Sequence, residues 1–179
     1  MRLIKINQDT QPLIDDLFPL FKEHLRILHD IEDEMIKLYL AGAIEAISTF
    51  GDNDIFHTAY SVFYTGERDI RYPSSFDGWY CGKWDISDVQ IYNSAGIDKT
   101  SDYTIDFEHG MIYPHPMGDQ VSFVVGYISK DDIPPMLTSI IFRYGASLFE
   151  MREDTRIGEP KALPMWLTHA LASVWCPRV

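Results

Sequence analysis

The polar and apolar positions change period twice along the chain. From Pro19 to Leu28, Phe21 and Leu25 recur at helical spacing with Leu28 closing the same face. Proline suits a first helical turn and disrupts an interior, so the first helix is expected over about 19–28. A start near Pro12 would place Pro19 inside the helix. The first 18 residues then read as an extended arm containing the short, β-prone "LIKI". A second helix is expected over about 30–49. Asp30 is the candidate N-cap, Asp33 stands at the capping-box position, and Glu32 and Glu34 complement the positive end of the helix dipole. Met35, Leu38, Tyr39, Gly42, Ala43, Ala46 and Ile47 follow at helical spacing, and Ala41, Gly42, Ala43 and Ala46 make one side thin. Gly42 is therefore expected at a close helix contact, where a larger residue would overpack it.

Between about 55 and 128 the period becomes two. "HTAYSVFYTGERDIRY" alternates, "VQIYNSAGID" reads as a strand entering a turn, and "SDYTIDFEHGMIYPHP" reads as a hairpin around Glu108-His109-Gly110. "DQVSFVVGYI" puts Val121, Phe123 and Val125 on one face. Helical spacing returns after "KDDIPP", with Leu137, Ile140, Ile141, Tyr144 and Leu148 in one stripe, predicting a Pro-led helix over about 134–152. "REDTRIGEPKALP" is a polar link. "MWLTHALASVWCPRV" then gathers Trp166, Leu167, Ala170, Leu171 and Val174 on one side of a short terminal helix, too apolar to stay solvated. The expected class is α+β: a small helical bundle of helix–corner–helix, Pro-led helix and short C-terminal helix, with an inserted β-hairpin or small antiparallel sheet. Residues 1–158 are expected to form one domain, and 159–179 a flexible link and C-terminal docking segment.

The 179 residues suffice for one core, with about 70% of the unfolded surface buried. A net charge of −12 and a pI near 4.7 argue against a counterion-releasing grip on DNA or RNA. No apolar run reaches membrane-spanning length and the N-terminus lacks a signal-like apolar stretch, so a soluble, membrane-free protein is expected. Cys81 and Cys176 form no metal knuckle or disulfide framework and are expected as reduced thiols.

Candidate chemistry is thin. His24, His29, Asp30 and Asp33 cluster around the helical corner, but the five-residue histidine step is not a zinc-helix spacing, and capping on a solvated surface accounts for them. Asp106, Glu108, His109 and His115 flank a hairpin and read as turn residues before they read as a carboxylate pair. No nucleophile elbow, phosphate loop or dinucleotide fingerprint occurs, so no enzyme, metal or cofactor is expected. "FDGWYCGKW" offers Trp79, Tyr80 and Trp84, which could fill a core, anchor a subunit interface or stack on a carbohydrate or other ligand.

"FKEHLRILHDIEDEMIKLYLAGAIEAISTFG" resembles the opening helical corner of the head–tail connector (adaptor or head-completion) proteins of long-tailed bacteriophages. "VQIYNSAGIDKTSDYTIDFEHGMIYP", "VVGYISKDDIPPMLTSIIFRYGASLFEMRED" and "ALPMWLTHALASVWCPRV" are similar to later parts of that family in the same order. Residues 56–86 depart from the pattern. The resemblance implies a structural virion protein, made in the host cytoplasm and built into the head–tail interface. It implies a homo-oligomeric ring, typically dodecameric, below the portal protein, which extends the DNA channel without gripping DNA and receives a downstream neck or tail-completion protein. The family's portal-reaching segment would fall on Leu163, Pro164, Met165, Trp166, Leu171 and Trp175.

Overall fold

The computed structural model describes residues 3–63, 79–81, 83, 85–114, 116 and 118–151. The described chain is α+β, with three α-helices and two small antiparallel sheets. It divides into two compact units. Of the described residues, one contains those up to Asp9 together with those within Phe56–Gly126, and the other contains Thr10–Ile55 and those from Tyr127 to Met151.

The helical unit consists of α1 (Gln11–His24), α2 (Asp33–Gly51) and α3 (Pro135–Glu150). Helix α1 starts eight residues earlier than the proline rule places it, with Pro12 in the first turn and Pro19 inside. The energetics explain the difference. An interior proline costs about 3 kcal/mol, whereas the added turns bury Leu13, Ile14 and Leu17, each contributing about 1.5–3 kcal/mol. Pro19 itself lies on the solvent side.

The helix also ends earlier. Ile27 N–H donates to Lys22 O and Arg26 N–H to Glu23 O, closing a Schellman motif with Arg26 at φ 58°. The left-handed position usually falls to glycine, so an arginine there leaves no signal in the sequence. Leu28, expected to complete the buried face, therefore lies beyond the helix and is 97% exposed.

Helix α2 begins at Asp33, not Asp30, and its N-cap Glu32 makes no side-chain capping bond. Asp30 instead accepts a hydrogen bond from Lys22 Nζ at 2.6 Å, and Asp33 lies at the same distance from that ammonium. One cation thus ties the end of α1 to the start of α2. The buried side of α2 is Ile36, Leu40, Ala43, Ile44 and Ile47. Asp52, at φ 50°, ends the helix.

Helix α3 packs antiparallel to α2. Gly145 faces Ala43 and the Phe21 ring, while Phe149 meets Tyr39 edge-on at 5.8 Å. A Cβ built on Gly145 would lie 2.8 Å from Phe21 Cζ and 3.5 Å from Ala43 Cβ. This is the close helix contact expected of Gly42. Gly42 instead has no atom within 4 Å of its would-be Cβ, because it projects from the opposite, solvent side of α2. The turn before α3 is held by Asp16 of α1, whose carboxylate accepts hydrogen bonds from Lys130 N–H at 2.8 Å and Ser129 Oγ at 3.0 Å.

The β unit carries a four-stranded antiparallel sheet in the order β1-β2-β7-β4 and a three-stranded sheet in the order β3-β6-β5. The strands are β1 (Ile4–Asp9), β2 (His57–Phe63), β3 (Trp79–Tyr80), β4 (Ile86–Tyr92), β5 (Thr104–Asp106), β6 (Met111–Tyr113) and β7 (Gln120–Val125). The expected arm is thus an edge strand followed at once by α1. Val121, Phe123 and Val125 share the buried face of β7, as the alternation implies, and Phe123 stacks on Tyr60 at 5.7 Å. In β4 the buried residues are Ile86, Val89 and Ile91, an odd step that would break alternation. A register shift between Ser87 and Gln90, with Asp88 at φ 46°, inserts the extra residue that restores the face.

Gly145→Ala is expected to cost about 1–3 kcal/mol, because the fully buried Phe21 must give way. Gly42→Ala should be neutral or gain up to about 1 kcal/mol from helix propensity. Urea unfolding of the two variants checks the contrast, and a Gly145→Ala protein as stable as its parent would refute the close-contact assignment.

The Lys130 backbone N–H holds the Asp16 carboxyl below the usual carboxylate range, against some desolvation and with help from Ser129 and the Lys130 ammonium. A depressed folded-state pKa contributes stability above the unfolded value, near 3.9, that disappears as pH falls through the folded value. Asp16→Ala should therefore melt lower than the parent at neutral pH, with the gap narrowing in acid below that range. A gap independent of pH would show that the ionised form is not what holds the turn.

Candidate functional site

The residues that tempt a catalytic reading are engaged in local structure. His24 packs its ring against Phe142 at 5.8 Å, and Asp30 and Asp33 are occupied by Lys22. The Lys22 ammonium is correspondingly held in its charged form by its hydrogen bonds to Asp30 and then Asp33. Asp106 closes the β5–β6 turn, its carboxylate accepting the His109 N–H at 3.1 Å and meeting His109 Nδ1 at 2.9 Å. Gly110 sits there at φ 62°, where a side chain would strike the Lys83 carbonyl. These are the tasks of turn residues. His115 lies outside the described residues, and Glu108 is exposed in the same turn. Among the described residues no group of three or more His, Cys, Asp or Glu is placed to hold a metal ion.

Cys81 is fully buried beside the Lys83 carbonyl, and burial pushes its thiol up to about 12. Such a thiol stays protonated and is a poor nucleophile. Cys176 lies outside the described residues. No described helix is long and apolar enough to cross a membrane.

Of the aromatic triplet, Trp79 fills the core of the β unit with Tyr60, Ile112 and Phe123, the packing role weighed for it above. Tyr80 is half-buried on the same short strand, and Trp84 lies outside the described residues. Leu163, Pro164, Met165, Trp166, Leu171 and Trp175 lie outside them as well.

Among the described residues, an exposed apolar surface runs from the corner along the outer side of α2. Leu28 and Ile31, at the corner between α1 and α2, are 97% and 90% exposed. Met35, Leu38, Gly42, Ala46 and Phe50 continue from them along the outer side of α2, with Leu38 64% exposed. Gly42, Glu45, Ala46, Thr49 and Phe50 line an open hollow of about 500 Å³. From Met35 to Gly51 the only charged residues are Lys37 and Glu45. Lys37 is turned back to Asp15 and Glu34, over the Phe18 ring. Helix α2 is thus apolar on both its buried and its outer sides, a pattern that normally marks a helix covered all round. The sequence signal was present in the recurrence of Met35, Leu38, Gly42 and Ala46. Periodicity shows that a face is apolar without showing which neighbour covers it.

No family model and no curated protein matches the chain. Solved structures do. A chain described as "Neck of empty GTA particle computed with C6 symmetry" superposes with a TM-score of 0.65 at 20% identity, over 100% of this chain and 97% of that one. A chain of "Virion of native gene transfer agent (GTA) particle" gives 0.64 at 20% identity, over 98% and 95%. A chain of "Neck of native GTA particle computed with C12 symmetry" gives 0.64 at 18% identity, over 98% and 94%. The protein has the fold of chains found in gene transfer agent neck and virion structures, over essentially its whole length and theirs.

Proposed function

We propose that the protein is a non-enzymatic head–tail connector of a phage-like particle. Copies assemble as a ring beneath the portal protein, most simply with twelve subunits, extend the DNA channel and receive the next neck or tail component. The observation that carries this reading is the full-length fold match to chains in gene transfer agent necks and virions, one of them computed with twelve-fold symmetry. The acidic balance, net −12, supports it, since a conduit for DNA must not hold phosphate. The apolar C-terminal segment, with Leu163, Pro164, Met165, Trp166, Leu171 and Trp175, is the part assigned to the portal. Tyr80 and Trp84 are assigned to subunit contacts in the same ring.

Mixing the purified chain with the portal protein of its own particle should give rings of this chain seated on portal, seen by negative-stain electron microscopy and as a stepped mass by mass photometry. Deleting residues 160–179 should abolish that association while leaving the melting temperature close to that of the full chain. Absence of any association between the full chain and portal would overturn the reading. A large fall in melting temperature on truncation would move the tail from partner docking to the protein's own core.

A further inference from the structure

We propose that β1 is a detachable strand that neighbouring copies exchange, the β1 of one copy pairing with the β2 of the next. The proposal rests on the ring reading above and names the element that would link its subunits.

All six residues of β1 are exposed, with Ile4 at 59% and Ile6 at 61%. Its partner β2 and the next strand, β7, instead supply Tyr60, Val62, Val121, Phe123 and Val125 to the buried core of the β unit. What holds β1 is a backbone ladder from Ile4 opposite Ser61 to Asp9 opposite His57, interrupted by a register shift between Lys5 and Asn7. Leu3, partly buried, is the side chain just before it that packs against the core. A strand with no buried face is weakly specified in register and partner, the condition under which strands swap. Removing β1 leaves β2, β7 and β4 paired with one another, so β1 can open without the rest of its sheet.

The strand is also placed to change partner. It makes its contacts within the β unit, yet only Thr10 separates it along the chain from α1 of the helical unit. Every copy offers the same β2, so the ladder rebuilt on a neighbour repeats the one seen within a single chain. Exchange therefore needs no new complementary surface, and passed head to tail it closes a ring. Leu3 to Thr10, fully extended, reaches about 30 Å at most, so only an adjacent copy is within range. Subunits held side by side raise the effective concentration of that partner. Charge favours the transfer as well. Residues 1–8 carry Arg2 and Lys5 and no acid, on a chain of net −12, so the arm is drawn to a neighbour while the bodies repel.

Detachment is measured first on the isolated chain. By hydrogen exchange in NMR, the β2 amides that face β1 should exchange at least tenfold faster than those that face β7. Equal rates would mean that β1 opens only with the whole sheet and would overturn the proposal.

Exchange is measured by disulfide trapping. In a Cys176→Ser background, Asn7→Cys with Ala59→Cys places thiols at paired positions, while Cys81 stays fully buried. Rings assembled on portal in reductant and then oxidised should give a ladder of disulfide-linked oligomers beyond dimer. Rings that yield only intrachain disulfides, or none, would sink the idea. The same variant oxidised before mixing is locked in the single-chain pairing, and its ring formation should fall at least tenfold and return on reduction. Locked chains that assemble as readily as reduced ones would refute exchange while leaving the ring reading intact. If the unmodified chain forms no ring with portal, the ring reading fails and the exchange falls with it.

Discussion

The helical unit depends on the closeness with which α3 approaches α1 and α2 at Gly145. Only hydrogen stands between the α3 backbone and the Phe21 ring, with Ala43 of α2 on the other side. That contact lets Leu137, Ile140 and Ile141 reach the unit's interior along with Leu17, Leu40 and Ile44, all of them buried. It also determines which side of α2 is left over. With Ala43, Ile44 and Ile47 facing inward, helical geometry sends Leu38, Gly42 and Ala46 outward. The exposed apolar face is therefore a consequence of the packing, and moving it inward would require rotating α2 out of contact with Gly145.

How far this was legible in the sequence varies with the kind of signal. The existence of the first three helices and the alternation in β7 follow from periodicity and agree with the structure, while the expected C-terminal helix lies outside the described residues. The errors cluster where a local rule met a larger tertiary term. Pro19 argued for a helix start, but three buried side chains on the preceding turns, Leu13, Ile14 and Leu17, outweigh one lost hydrogen bond. Asp30 has the composition of an N-cap, but a lysine one turn from the end of α1 competes for it and wins with two charge-assisted contacts. Two small residues in helices, Gly42 and Gly145, are indistinguishable as letters. Only the direction of the neighbouring helix decides which one is crowded.

The β unit adds a second limit on sequence reading. Strand β1 pairs with β2 across about fifty residues, and no local pattern announces so distant a partner. Bulges hide the alternation as well. Asp88 takes a left-handed conformation without a glycine to advertise it, so β4 reads out of phase until the register is known. Strand β1 presents a different case: its six residues are all exposed, with Ile4 and Ile6 among them. Among the described residues it is the outer strand of its sheet. The candidate surfaces escaped the sequence reading for the same reason, since exposure is a property of neighbours.

An apolar helix face on a chain of this charge sets two forces against each other. Fully covering one leucine or isoleucine contributes about 1.5–3 kcal/mol, and the corner and the outer side of α2 expose Leu28, Ile31 and Leu38. Against it stands repulsion between copies that each carry a net charge of −12. That repulsion acts at a distance but is screened within about 8 Å at physiological ionic strength, whereas apolar burial acts only on contact. In the proposed assembly, free copies therefore meet an electrostatic barrier before they meet attraction. In that proposed assembly a portal ring holds copies side by side, which removes the cost of bringing them together and leaves the short-range term to act. On this view the acidic balance serves twice in the proposed assembly: it keeps DNA from adhering to the channel, and it delays the contact between subunits until a template supplies their arrangement.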